Sequence, residues 1–304
     1  MTTIRRTFNA LVLGSLACLA AAAPLSLGAP ARAATVIDDT GRRILVPPPP
    51  LRIASLAPGA TALLFAAGAG AQVVATTEYS VEPTAARRIP RIGDASALDM
   101  ERLLALHPDV IVAWPDGENP AEIERITRLR IPIYREKVGR LADLAASVRR
   151  LGALAGTSAV AGRAAQHLDA QLAALTRQYA RAQPLTVLLE IWGRPIYTLG
   201  GSQPVSDALR VCGASNVFGD LPEAAPTVST EAVMARNPDL IIALASPHEG
   251  EPWLAAWQRF TELRAVRTGN IFTFDDPRLT RLGPSMLDAT EALCKRIDQA
   301  RRAR

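Results

Sequence analysis

The chain has 304 residues, 49% of them hydrophobic and 21% charged, and that balance excludes disorder, coiled coil and collagen. Its formal charge of +5 is concentrated at the start: the first 33 residues hold three arginines and no acid, while the other 271 set 31 basic against 29 acidic side chains. Near-balance over that length removes the electrostatic case for a nucleic-acid or anionic-membrane partner and leaves enough chain for two lobes, each with a core.

Arg5 and Arg6 precede an apolar stretch from Ala10 to Leu27, and Ala31-Arg32-Ala33 supplies a small-x-small cleavage pattern. Residues 1–33 therefore read as a secretory signal peptide cut after Ala33. Pro24, Gly28 and Pro30 interrupt the run, which argues against a retained anchor, and no later segment is long and apolar enough to span a bilayer. Arg5-Arg6-Thr7-Phe8 is a partial twin-arginine pattern, and Cys18 lacks the leucine three residues earlier that a lipoprotein signal carries.

In the mature chain, Ala62 to Val74 reads as a helix closed by Gly68 as a left-handed cap and followed by a strand. Met100 to Ala113 reads as a short helix opened by Glu101, stopped at His107-Pro108-Asp109, then an apolar run typical of a buried parallel strand. Leu141 to Ala182 lacks proline and spaces Leu141, Leu144, Ala145, Val148, Leu151 and Leu154 as a helix does, with a break expected around Gly156 to Ser158. Pro184 stops that segment, and Leu185 to Leu189 begins a second lobe as a strand. Asp207 to Phe218 repeats the helix-to-glycine pattern with Gly213, and Thr230 to Ala243 repeats Met100 to Ala113 at a constant offset of 130. Two occurrences are too few for a solenoid. The expected fold is α/β: an N-terminal lobe over 34–140, a stiff helical linker over 141–183 and a similar C-terminal lobe over 184–304, with the ligand cleft between lobes that move little.

Removal of Cys18 with the leader leaves Cys212 and Cys294 in an oxidising compartment, which reads as a disulfide, with two buried free thiols as the alternative. No nucleophile elbow, phosphate loop or dinucleotide fingerprint is present, and Gly200-Gly201-Ser202 lacks the lysine that grips a phosphate, so an enzyme is not expected. His107, His167 and His248 are scattered; only His248 stands near acids, Glu249 and Glu251, and no bound metal or resident cofactor is expected. Loops that leave strand ends hold Tyr79, Trp114, Trp192 and Tyr197, four rings suited to a large planar ligand, each with core packing as its alternative. Trp253 and Trp257, four apart, are expected on one helix face in the core.

Arg52-Ile53-Ala54-Ser55-Leu56-Ala57-Pro58, the paired Glu-x-x-x-Ala-x-x-Pro-Asp segments and Trp192-Gly193-Arg194-Pro195-Ile196-Tyr197-Thr198-Leu199-Gly200-Gly201 resemble the helical-backbone periplasmic binding proteins of ABC importers for cobalamin, ferric siderophores and haem. The resemblance covers about Arg52 to Ile297. It leans to the cobalamin binders through Val211-Cys212-Gly213, Asn216-Val217-Phe218, Val228-Ser229-Thr230-Glu231 and Cys294.

The resemblance implies a monomeric receptor that captures a corrinoid and hands it to an inner-membrane ABC permease dimer, with ferric siderophore or haem as the alternative cargo. It implies ligand contacts at Tyr79, Trp114, Trp192 and Tyr197, backbone approach at Pro58-Gly59-Ala60, and polar contacts from Asp275, Asp276 and Arg281. Glu101 and Glu231 fall where the family docks on permease arginines, with helix capping as the plainer role. Two departures stand out: Ala95 and Ala225 occupy positions where the cobalamin binders carry tryptophan. For haem, Tyr79 or His248 would supply the axial atom; for a siderophore, Arg194, Arg278 and Arg281 are the candidate cations.

Overall fold

A computed structural model describes residues 34–49, 51–94, 97–114 and 119–302. The leader with Cys18, and Ala95, lie outside the described residues. The mature start forms an antiparallel hairpin of β1 (Ala34–Ile37) and β2 (Arg43–Val46). The first lobe then runs β3 (Ile53–Ser55), α1 (Pro58–Ala66), β4 (Val73–Thr76), α2 (Met100–Ala105), β5 (Val110–Ala113), α3 (Pro120–Arg128) and β6 (Ile133–Arg135). Its strands pair in parallel in the order β4-β3-β5-β6.

Two helices follow, α4 (Asp143–Leu154) and α5 (Ser158–Tyr179), with the break between Ala155 and Thr157 where the sequence places it and Gly156 at φ +71. The second lobe comprises β7 (Leu185–Glu190), β8 (Trp192–Gly193), β9 (Ile196–Tyr197), α6 (Pro204–Val211), β10 (Ala214–Asn216), β11 (Thr227–Val228), α7 (Thr230–Arg236), β12 (Leu240–Ala243), α8 (Pro247–Ala255), α9 (Arg264–Arg267), β13 (Ile271–Thr273) and α10 (Met286–Arg302). Its parallel sheet has the order β10-β7-β12-β13, the same plan as the first, and a small antiparallel sheet β11-β9-β8 is added.

The repeat holds down to atoms. His107 and Asn237 both take left-handed backbone, at φ 45 and φ 41, where the helices α2 and α7 stop. The aspartate after each proline then bonds the neighbouring strand: Asp109 Oδ2 accepts from the Arg52 amide at 2.7 Å, and Asp239 Oδ2 from the Thr186 amide at 2.8 Å. Gly68 and Gly213 likewise sit at φ +82 and φ +69 after α1 and α6, conformations that cost a residue with a Cβ about 1–2 kcal/mol.

Alternation along the buried strands builds the layers. Val110 and Val112 of β5, with Leu240 and Ile242 of β12, face one core shared with Leu144, Leu151, Leu168 and Leu293 of α4, α5 and α10. Ile111 and Ala113 face a cluster with Leu103 and Ile126, while Ile241 and Ala243 face one with Val233 and Ala265. One face of each sheet thus packs on a continuous apolar body that includes the linker helices, so deleting a fully buried side chain there, as in Leu151→Ala, would cost about 2–5 kcal/mol. Cys212 and Cys294 lie in that body and are joined by a disulfide with Cα atoms 4.8 Å apart, which fixes the end of α6 to α10.

Candidate binding cleft

All strands of each main sheet are parallel, so their carboxyl ends share one edge, where open α/β sheets take ligands. The residues singled out in the sequence leave from that edge: Gly59 after β3, Tyr79 after β4, Trp114 after β5, Trp192 after β7, and Asp276 and Arg281 after β13.

Three of them meet. Gly59, Trp114 and Arg281 line one cavity of about 230 Å³ together with Glu136, Thr280 and Leu282, so residues from both lobes enclose it. At Gly59 the fit is close, since a Cβ there would lie 3.0 Å from the Leu282 carbonyl oxygen. Trp114 is half-buried, packs against the core and lines the cavity. Thr280 also lines the neighbouring recess of about 170 Å³ that holds Asp275 and Asp276.

Arg281 and Asp276 are already engaged. Arg281 Nη1 donates to Glu82 Oε1 at 3.2 Å, and Ser285 Oγ donates to Glu82 Oε2 at 2.8 Å, so a first-lobe carboxylate ties down the segment that carries Arg281. Asp276 accepts from Arg278 Nε at 2.9 Å and Nη2 at 2.6 Å, and that bidentate pairing holds its carboxyl below the usual range. Glu82, Ser285 and Glu136 were not singled out in the sequence. An ion pair between positions 199 apart has no local signature, whereas Glu136, buried directly after β6, is a charged residue closing an apolar strand run and could have been noticed.

The other rings do not line this cavity. Tyr79, Trp192 and Tyr197 are the exposed aromatic side chains among the described residues, at 73%, 55% and 36%. Core packing is thus not their role. Tyr79 holds φ 63, a conformation costly for a non-glycine residue, on a loop pinned by buried hydroxyls: Thr61 Oγ1 lies 2.7 Å from Thr76 Oγ1 and 2.8 Å from Ser55 Oγ, and Ser80 is buried beside them. Trp192 pairs with Tyr197 across β8 and β9, and its ring centre is 5.8 Å from that of Trp253. Trp257 is buried as expected, although α8 ends at Ala255, so it sits just past the helix rather than on it. His248 is exposed in the first turn of α8, and the described residues contain no group of His, Cys, Asp and Glu arranged to hold a metal. Ala225 is exposed in the segment entering β11.

Glu101 and Glu231 take the same place in the two lobes, the second residue of α2 and of α7. Capping is done by their neighbours: Asp99 accepts from the Arg102 amide at 2.9 Å and Ser229 from the Ala232 amide at 3.2 Å. Both glutamates are exposed, and Glu231 is held below the usual carboxylate range by its own backbone N–H and the Ser229 hydroxyl. Since α2 and α7 run back toward the starts of β5 and β12, their first turns lie at the strand-end edge, consistent with Glu231 and Glu190 lining one cavity.

Two lobes of one sheet order, a shared apolar body and a cleft at the strand ends define a receptor frame, and the chain belongs to the periplasmic binding protein family, whose profile matches residues 53–277. Within that family it is similar to the vitamin B12-binding protein of Vibrio cholerae serotype O1, 33% identical over 266 residues that span 86% of this chain and 94% of the relative. The crystal structure of the periplasmic vitamin B12 binding protein of Vibrio cholerae matches with a TM-score of 0.76 at 32% identity, over 83% of this chain and 99% of that one. A periplasmic haem-binding protein from Roseiflexus sp. RS-1 shares the fold, with a TM-score of 0.71 at 23% identity, over 82% of this chain and 98% of the other.

Proposed function

We propose that this protein is a periplasmic receptor that captures a corrinoid, cobalamin, between its two lobes and delivers it to an inner-membrane ABC permease dimer. The observation that carries the reading is the likeness, over 86% of the chain, to a vitamin B12-binding protein. Residues 1–33 are the leader removed on export, 34–140 and 184–304 the two lobes, and 141–183 the linker. The ligand rests on Gly59 and Trp114 and is covered by Tyr79, Trp192 and Tyr197, whose exposed faces offer ring contact, while Asp276 and Arg281 meet its polar substituents. Arg281 would leave Glu82 to do so, an exchange of one acidic or amide partner for another at the same edge. Glu101 and Glu231, exposed and related by the repeat, orient the receptor on the two-fold permease. The protein acts as a monomer and performs no chemistry on its cargo.

The test is calorimetric titration of the ligand-free processed chain with cyanocobalamin, in parallel with haemin and a ferric siderophore panel. Saturable one-to-one cobalamin binding, weakened about tenfold or more by Trp114→Ala, is the expected result. Haemin or siderophore binding without cobalamin binding would transfer the cleft to another metal chelate. Recovery of chemically altered cobalamin would refute the carrier role.

A further inference from the structure

Behind the small sheet of the second lobe lies a cavity of about 500 Å³, within the size range of small-molecule sites. Strand pairing sets it on the opposite face of that sheet from Trp192 and Tyr197. Trp192, Tyr197 and Thr227 are cross-strand partners and share one face of the β11-β9-β8 sheet; Gly193, Ile196 and Val228 are partners on the opposite face, and these line the cavity.

At its base is Glu190, the last residue of β7 and only 1% exposed. Among the described residues a single donor reaches this carboxyl, the Trp257 indole, with Nε1 donating to Oε2 at 3.0 Å. Burial pushes its pKa up to about 7, opposed by the Trp257 hydrogen bond. A carboxylate offers about four acceptor positions, so one indole N–H leaves most of its capacity, and all of its charge, uncompensated. Around it stand Trp253, Trp257 and Phe260. Phe260 already takes one cation on its face, since the Arg259 guanidinium lies 4.7 Å from the ring centre at the mouth.

We propose that this cavity is a second binding site, for a small organic cation with an amidinium, guanidinium or ammonium head, in which Glu190 is the anionic anchor and Trp253, Trp257 and Phe260 are the walls. A buried carboxylate within a ring cage is the environment in which cation–π attraction and ion pairing are least screened by water. The site uses residues on the sheet face opposite Trp192 and Tyr197, and its assignment does not rest on what the cleft carries. Arg194, Arg259 and Glu231 are the other charged groups lining the cavity, with Glu231 held below the usual carboxylate range; His248 on α8 lies outside the lining. Glu190 therefore sets the pH dependence. The cation selects the ionised carboxyl, so affinity rises as pH passes upward through 7 and falls up to about tenfold for each unit below.

The test titrates the whole ligand-free protein with benzamidine, read by calorimetry and by tryptophan emission, with the neutral isostere benzamide as control. Expected are one saturable benzamidine site that strengthens from pH 6 to pH 8, and little binding of benzamide. Glu190→Gln keeps an acceptor for the Trp257 indole but should lose at least tenfold in affinity together with the pH dependence. Ala256→Leu, which fills the cavity from its lining, should weaken binding without altering that dependence. Absence of saturable benzamidine binding, equal binding of benzamide, or Glu190→Gln binding like the parent would each overturn the assignment, the last by placing the cation at Glu231 on the mouth.

Discussion

Replacing Glu190 by glutamine should change how stability varies with pH. In the folded chain burial, which penalises the charged form, pushes the carboxyl up to about 7 from its ordinary value of 4.5. The folded state therefore holds this proton more tightly than the unfolded one. Stability from this group is fully present below pH 4.5, declines between 4.5 and 7, and is gone above; at about 1.4 kcal/mol per unit, the loss reaches about 3 kcal/mol at pH 8. Glutamine carries the same shape and an acceptor for Trp257, but also an NH₂ group that costs about 1–3 kcal/mol at every pH if it finds no acceptor. The informative quantity is thus the difference between parent and variant as a function of pH, which cancels the other carboxylates. Urea unfolding of both at intervals from pH 4.5 to 8, with equal m values, would measure it. The variant should gain about 3 kcal/mol on the parent across that range. A difference flat to within about 0.5 kcal/mol would show that Glu190 is solvated or permanently paired, and would refute the reasoning.

Cys212 and Cys294 close a loop of sequence separation 82, for which the chain-entropy relation gives about 4.5 kcal/mol, so reduction or the Cys212→Ala/Cys294→Ala double variant should lower the urea midpoint accordingly, with no shift on reductant arguing against the bond. Tyr79→Gly should relieve the left-handed backbone and raise stability by about 1 kcal/mol while weakening cobalamin binding; a loss of both would mean that the ring supports the loop. Glu101→Arg with Glu231→Arg should leave cobalamin affinity unchanged in calorimetry yet abolish uptake in reconstituted permease vesicles, whereas unimpaired uptake would leave these glutamates without a docking role.

Much of this protein is set by local pattern, which a sequence exposes directly. The 130-residue offset placed two helix–turn–strand units; the left-handed stops at His107 and Asn237, the aspartates just before β5 and β12 and the glycines at Gly68 and Gly213 follow from backbone preferences that act within a few residues. Four apolar residues in a row made β5 and β12 buried parallel strands, and once the strands were parallel, Gly59, Tyr79, Trp114, Trp192 and Asp276 had to leave from one edge. Which of those residues meet was decided only by the tertiary structure. Gly59, Trp114 and Arg281 share a cavity because the segment after β13 crosses to the first lobe and is held there by Glu82, a contact between positions 199 apart. Tyr197 turned toward Trp192 because β8 and β9 pair in one register, and the same register turned Gly193 and Ile196 to the opposite face, toward the cavity that holds Glu190. Periodicity fixes which face of an element is apolar, whereas long-range pairing of charges and the register of short strands depend on how whole lobes pack, and no window of neighbouring residues carries that information.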